Sequence, residues 1–260
     1  MTFVDKISIA DRTALVIPAS TTSHSVLIYL HGSAQSPAVA RRFTDHSFET
    51  LSNQGVTICY PAGVHRHWND ARIQFNEKTR QLGIDDVSFL SELAQHFEGQ
   101  RVLGVGFSNG GHMLFRLLHD APGLLSQAAI IGATLPAPDN FLSHTHNWQP
   151  TPILLMHGTA DPISPFYGGT TKLVTGHDRG NVLSFSDTAN YFVQLNQAPP
   201  PVSEETDNAT IQRYGAWVET WALKNVGHYV PTLNPPVSKL LGPAPKGLVA
   251  ADILTRFFNC

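Results

Sequence analysis

The strongest constraint on the fold is an alternation. Short apolar runs, most of them continuous, recur at 26–30 (VLIYL), 56–60 (VTICY), 102–106 (VLGVG), 128–133 (AAIIGA), 153–156 (ILLM) and 217–223 (WVETWAL). Runs without polar alternation suit strands covered on both faces. Helical periodicity fills the gaps. Residues 38–53 put Val39, Phe43 and Leu51 near one face, with Gly55 placed to end the helix. Residues 85–97 start at Asp85, a good N-cap, and repeat Val87, Leu90, Leu93, Ala94 and Phe97 at helical spacing. Further helices are expected at 109–119, 186–197 and 250–258. The opening segment VDKISIADRTALVIPA alternates and predicts a hairpin. Strands alternating with helices predict the α/β class: a mostly parallel sheet with helices on both faces.

No internal repeat interrupts this pattern. Two Pro-rich stretches, 198–202 and 231–246, read as surface loops. The first lies in a polar segment reaching about Ala209. It predicts a loop or small cap excursion, around 163–212, within one domain spanning 1–260. With 42% hydrophobic residues in 260, the chain can bury a sizeable core. Charge is sparse: 17 basic and 20 acidic residues, net −3, with no block of either sign. That argues against nucleic acid or an anionic membrane as partner and favours a small, uncharged or mildly polar ligand. Cys59 sits in an apolar run and Cys260 is the last residue, so no disulfide framework is expected. The N-terminus lacks the basic and apolar regions of a signal peptide. No apolar run approaches the roughly 20 residues of a membrane span. A cytoplasmic location is the expectation.

One stretch carries chemistry. GVGFSNGGHM, residues 104–113, admits two readings. Its glycines could let a dinucleotide phosphate approach a helix N-terminus. That reading wants an acidic residue near the end of the following strand, about 20 residues on. The run 128–133 offers none, and Asp120 closes the intervening helix. The other reading is a nucleophile elbow. A serine sits at the apex of a strand–turn–helix, and small residues two positions either side let the two backbones pass. Here the strand is 102–106, the small residues are Gly106 and Gly110, and the serine is Ser108.

A serine nucleophile predicts its partners. In a strand–elbow–helix hydrolase an acid and then a histidine follow on loops after later strands. Asp161, just past the run 153–156 and stiffened by Pro162, supplies the acid; Asp139 is its rival. His228, after the last long apolar run, supplies the base, with His177 as its rival. Two backbone N–H groups should stabilise an oxyanion. One belongs to Asn109, the residue after the nucleophile. The other belongs to the loop after the first buried run, at Ser33, with Ala34 the alternative.

Taken together, LHGSAQS, YPAGVHRHWND, GIDDVSFL, GFSNGG, HGTADPISPFYGG and GHYVP resemble one branch of the α/β-hydrolase esterases. It is the polyhydroxybutyrate depolymerase/LpqC-type branch, which includes feruloyl and short-chain acyl esterases. The resemblance covers about residues 27–230. It implies an α/β-hydrolase fold with about eight strands and a serine carboxylic-ester hydrolase using Ser108, Asp161 and His228. Val230 stands where family members often carry tryptophan. The missing signal and cysteine framework sets the chain apart from exported members that cut polymers. GFSNGG is also similar to acyl-protein thioesterases, which keeps thioesters open.

Trp68 and Tyr167 are candidates to contact substrate. His65-x-His67 and His144-x-His146 read as solvated loop histidines, so no metal is expected. His31 and His157, each before a glycine at a strand end, read as structural. The expected chemistry is an acyl-enzyme route needing no cofactor. The expected partner is a small-molecule or oligomeric ester. The sequence leaves the oligomeric state open. The rival outside enzymology is a binding protein that kept the fold and lost the chemistry.

Overall fold

The computed structural model describes residues 3–143, 147–172 and 178–260. In chain order the elements are β1 (Asp5–Ile9), β2 (Arg12–Ile17), β3 (Ser25–Leu30), α1 (Pro37–Phe43), β4 (Val56–Pro61), α2 (Lys78–Gln81), α3 (Asp86–Gln95), β5 (Arg101–Phe107), α4 (Asn109–Asp120) and β6 (Gln127–Ile131). There follow β7 (Ile153–Gly158), β8 (Gly169–Lys172), β9 (Asp178–Val182), α5 (Phe185–Leu195), β10 (Val202–Glu205), β11 (Ala209–Tyr214), β12 (Val218–Leu223) and α6 (Ala250–Phe258). Ten strands form one sheet in the order β1-β2-β4-β3-β5-β6-β7-β12-β11-β10, while β8 and β9 make a separate pair. The six central strands, β4 to β12 in that order, run parallel. The N-terminal hairpin is present, and β2 joins it antiparallel to β4.

Helices cover both faces, as the sequence pattern predicts. Along β3, Val26, Ile28 and Leu30 enter one core with residues of α3, α4 and α5. Leu27 and Tyr29 enter the other, with residues of α1 and α6. Each central strand divides its side chains in this way. This is why most of their sequences are continuously apolar, β12 with Glu219 and Thr220 being the clearest exception.

Two expectations need correction. The sheet has ten strands rather than about eight. The extra pair, β10 and β11, is an antiparallel hairpin beside β12. It uses part of the segment read as loop, since all four β10 residues are exposed and carry no apolar alternation. The helix expected over 38–53 is two. Ser36 caps α1 by accepting the Val39 N–H at 3.4 Å. The Thr44 hydroxyl donates back to the Ala40 and Arg41 carbonyls. Asp45 and His46 then adopt φ of 52° and 53°, outside any right-handed helix. A 3₁₀ turn, Ser47–Gln54, follows and ends at Gly55.

Candidate active site

β5 delivers Ser108 to the start of α4. Ser108 sits at φ 54°, ψ −115°, a sparsely populated region that costs about 1–3 kcal/mol for a non-glycine residue. The bend is held by the Ser108 N–H donating to Ile131 O at 2.9 Å. It leaves no room beside it. A Cβ on Gly106 would lie 2.4 Å from Gly110 O, and one on Gly110 would lie 1.9 Å from Leu30 O. The glycine pattern is thus used where the strand and helix backbones cross.

The acid and base meet from two loops. Asp161 follows β7, and its Oδ1 accepts the N–H groups of Ile163 and Ser164, each at 2.8 Å. Its Oδ2 lies 2.6 Å from His228 Nδ1. A carboxylate only accepts, so Nδ1 carries the proton and Nε2 a free lone pair. Burial pushes the Asp161 carboxyl upward, but the pairing with His228, the nearby His157 and the backbone donors outweigh it and hold it below its ordinary value. The Pro-rich stretch 231–246 has a role here. Pro243 O and Leu241 O accept the N–H groups of Gly227 and His228 at 2.7 and 2.6 Å, fixing the His228 backbone. The imidazole packs on Phe107, ring centroids 4.8 Å apart. Of the two rivals, Asp139 is exposed and His177 lies outside the described residues.

Ser108 and His228 open onto one recess of about 150 Å³, walled in part by Phe43, Phe107, Ile163 and Leu241. Among the described residues the only hydrogen bond of the His228 ring is that to Asp161. Ser108 and His228 therefore share the recess without a hydrogen bond between their side chains.

Two N–H groups are uncommitted beside the serine. Ala34 N–H donates to Arg66 O at 2.9 Å, which removes Ala34 as a donor to a ligand. Gly32 N–H donates to Gln35 Oε1 at 3.1 Å. Ser33 N–H has no acceptor among the described residues. Asn109 is the first residue of α4, where an N–H has no partner within the helix.

The Asn109 side chain is committed elsewhere. Its Nδ2 donates to Asp70 Oδ2 at 2.7 Å, and it bonds the Trp68 backbone through both side-chain ends. Asp70 in turn pairs with Arg72 at 2.5 Å. The next residue, Asn69, donates its N–H to Asp86 Oδ2 at 2.6 Å, and Asp86 pairs with Arg12. The loop 68–70 therefore clamps the start of α4 to the start of α3.

The two substrate-contact candidates lie outside the walls of the recess. Trp68 is fully buried, with its indole N–H on His31 O at 3.0 Å. Tyr167 is 82% exposed, stacks edge-on against Phe166 and does not wall the recess. His31 and His157 are structural neighbours of the site. The Gly63 N–H donates to His31 Nε2 at 3.0 Å, so Nδ1 carries the proton toward Gly32 O. Burial pushes the His31 pKa down to about 4. His157 Nε2 donates to Ser164 O at 2.9 Å, and burial keeps the ring neutral. The sequence marks Asp70 only as the end of the YPAGVHRHWND motif and does not single out Arg72 or Arg179. A lone Arg in a loop or a short strand has no periodicity to betray it. Among the described residues no group of three or more His, Cys, Asp or Glu side chains is placed to hold a metal ion. No described helix is long and apolar enough to cross a membrane.

Comparison with known proteins places these features in context. The sequence profile of the Phospholipase/Carboxylesterase family matches residues 86–174, which include Ser108 and Asp161. The presumed esterase NocK of Nocardia uniformis subsp. tsuyamanensis is 28% identical over 163 residues. That alignment takes in 59% of this chain and 45% of NocK, so the chain spans under half of that relative's length. Among solved structures, an acetyl xylan esterase from Aspergillus awamori superposes with a TM-score of 0.66 at 13% identity, over 99% of both chains. Thermogutta terrifontis esterase 2, phosphorylated by paraoxon, superposes at 0.58 and 14% identity, over 98% of this chain and 93% of its own.

Proposed function

We propose that this chain, which has the α/β-hydrolase fold, is a serine hydrolase cleaving carboxylic esters. One observation carries the reading. A strained serine shares a recess with an imidazole whose far nitrogen is held by a buried carboxylate at 2.6 Å. A structural turn serine requires neither the partner nor the strain.

The chemistry follows from the groups present. Substrate seats its carbonyl beside Ser108 and brings Oγ within reach of His228 Nε2; such hydrogen bonds are often long in the unliganded state. Nε2 takes the Oγ proton as Oγ attacks the carbonyl carbon. Asp161 holds the imidazole tautomer and stabilises the imidazolium without taking the proton. The N–H groups of Asn109 and Ser33 receive the oxyanion, each worth about 3 kcal/mol in the transition state. The tetrahedral intermediate collapses, the C–O bond to the alcohol breaks, and His228 gives its proton to the departing oxygen. Water then attacks the acyl-enzyme by the same route and frees the acid. No step needs a cofactor.

The recess, about 150 Å³, lies below the usual range for drug-sized ligands. It favours a short acyl group over a long chain, which suits short-chain or hydroxyalkanoate esters. The test is a panel of p-nitrophenyl esters from acetate to dodecanoate, with methyl ferulate, a hydroxybutyrate oligomer and a thioester. Turnover of the short esters that disappears in Ser108→Ala is expected. Turnover that survives in Ser108→Ala contradicts the assignment of the nucleophile.

A further inference from the structure

The recess beside Ser108 contains more polar groups than ester cleavage requires. Arg72 and Arg179 both wall it, although they are only 2% and 4% exposed. Arg72 gives Nε and Nη2 to Asp70, while its Nη1 has no acceptor among the described residues. Arg179, on β9, gives Nη1 to Ser33 Oγ at 2.9 Å and Nη2 to Glu77. Both guanidiniums lie against the Phe75 ring, 4.7 and 4.8 Å from its centroid. Burial first, then repulsion from Arg72, pushes Arg179 down to about 10, so it stays charged at neutral pH.

Three more wall residues carry buried polar atoms with no hydrogen-bond partner among the described residues. They are His112 Nδ1, Ser164 Oγ and Thr171 Oγ1. Each such atom costs about 1–3 kcal/mol if it stays unpaired. A cluster of them in one cavity wall, beside two cations, marks a place for a ligand with several acceptor lone pairs. A carboxylate answers that description, because guanidinium donors match its planar pair of oxygens. Asp70 and Glu77 already offset the two cations, which suits a singly charged group better than a dianion.

We propose that the recess selects esters bearing a carboxylate close to the scissile carbonyl, held by Arg72 and Arg179. The inference rests on Ser108 being the nucleophile. Arg179 bonds the side chain of Ser33, whose N–H is the proposed oxyanion donor, so the charge lies next to the reacting carbonyl. It departs from the sequence expectation of a small, uncharged or mildly polar ligand. Net charge over the whole chain does not report two arginines brought together from distant segments, one in the loop after β4 and one on β9.

The test compares kcat/KM for acidic and neutral esters. Monomethyl glutarate, with the charge on the acyl side, is set against methyl butyrate. O-acetylglycolate, with the charge on the alcohol side, is set against ethyl acetate. At least one acidic ester is expected to lead its neutral partner by about tenfold or more, the worth of one charge-assisted hydrogen bond. The leading pair shows which side of the ester enters the recess. In Arg179→Gln that ratio should fall toward one, and Arg179→Lys should keep part of it. A merely structural arginine would lower both esters together and leave the ratio unchanged, which overturns the proposal. Equal turnover of acidic and neutral esters by the unaltered protein also overturns it, while leaving the hydrolase reading intact. Should no ester be turned over, titration calorimetry of monomethyl glutarate into Ser108→Ala decides. Binding weakened by adding Arg179→Gln supports the proposal, and absence of binding defeats it.

Discussion

Asn109 grips the Trp68 backbone at both ends: the Trp68 N–H donates to Asn109 Oδ1 at 2.8 Å, and Asn109 Nδ2 donates to Trp68 O at 3.1 Å. A further bond from Nδ2 reaches Asp70 at 2.7 Å. The residue after Ser108 is thus locked through its side chain, and its backbone N–H is left for the proposed oxyanion role. Asn109→Ala would leave the buried N–H and C=O of Trp68 unpaired and remove one of the three donors on Asp70 Oδ2. A stability loss of about 3 kcal/mol or more is expected in urea unfolding. A loss under about 0.5 kcal/mol, the range of an ordinary surface substitution, would show the clamp to be unimportant.

Asp161→Asn keeps the shape but can offer its amide N–H to His228 Nδ1, favouring the tautomer with the proton on Nε2. Where a carboxylate sets the tautomer of a catalytic histidine, that change costs about four orders of magnitude in kcat. We expect a loss of that order in ester hydrolysis, with circular dichroism unchanged. A loss of less than about tenfold would remove Asp161 from the proposed mechanism.

The glycines of GVGFSNGGHM are separable by substitution. Gly110→Ala drives a methyl to 1.9 Å from the Leu30 carbonyl oxygen, and backbone on both sides must move. Gly104→Ala meets only the ends of Leu114 and Leu125 at 3.0 Å, which can shift. Gly110→Ala should therefore cost several kcal/mol and activity. Gly104→Ala should stay within the range of about 1–3 kcal/mol for mild overpacking. Equal thermal denaturation midpoints for the two variants would refute the crossing as the reason for Gly110.

Buried neutral histidines make a prediction about pH. Burial lowers His31 to about 4 and depresses His112 and His157. Their unfolded forms titrate near the ordinary 6.5. Between about 6.5 and 4 the unfolded chain binds protons that the folded chain refuses, so stability falls as pH falls. For His31 the slope is about 1.4 kcal/mol per pH unit inside that window. Denaturant titrations at pH 7.5, 6 and 5 should show progressive loss. Constant stability across those points would mean that the rings are not held neutral.

The central sheet was legible in the sequence because strands buried on both faces leave mostly unbroken apolar runs. That Ser108, Asp161 and His228 come together was legible because the motif and the order of later strand ends constrain one another. What failed had no such signature. β10 is a wholly exposed edge strand. The periodicity of 38–53 continues across a chain reversal at Asp45 and His46. An aromatic residue type does not say whether the ring faces a core, as Trp68 does, or solvent, as Tyr167 does. Arg72 and Arg179 meet only because the β8–β9 hairpin and the loop after β4 meet.

The central claim is that Ser108 is a nucleophile activated by His228. Fluorophosphonate labelling with mass-spectrometric mapping tests it without knowledge of the substrate. The account predicts one adduct, on Ser108, in the unaltered protein. It predicts none in Ser108→Ala and strongly slowed labelling in His228→Ala. An unaltered, folded protein that takes no label at Ser108 would contradict it.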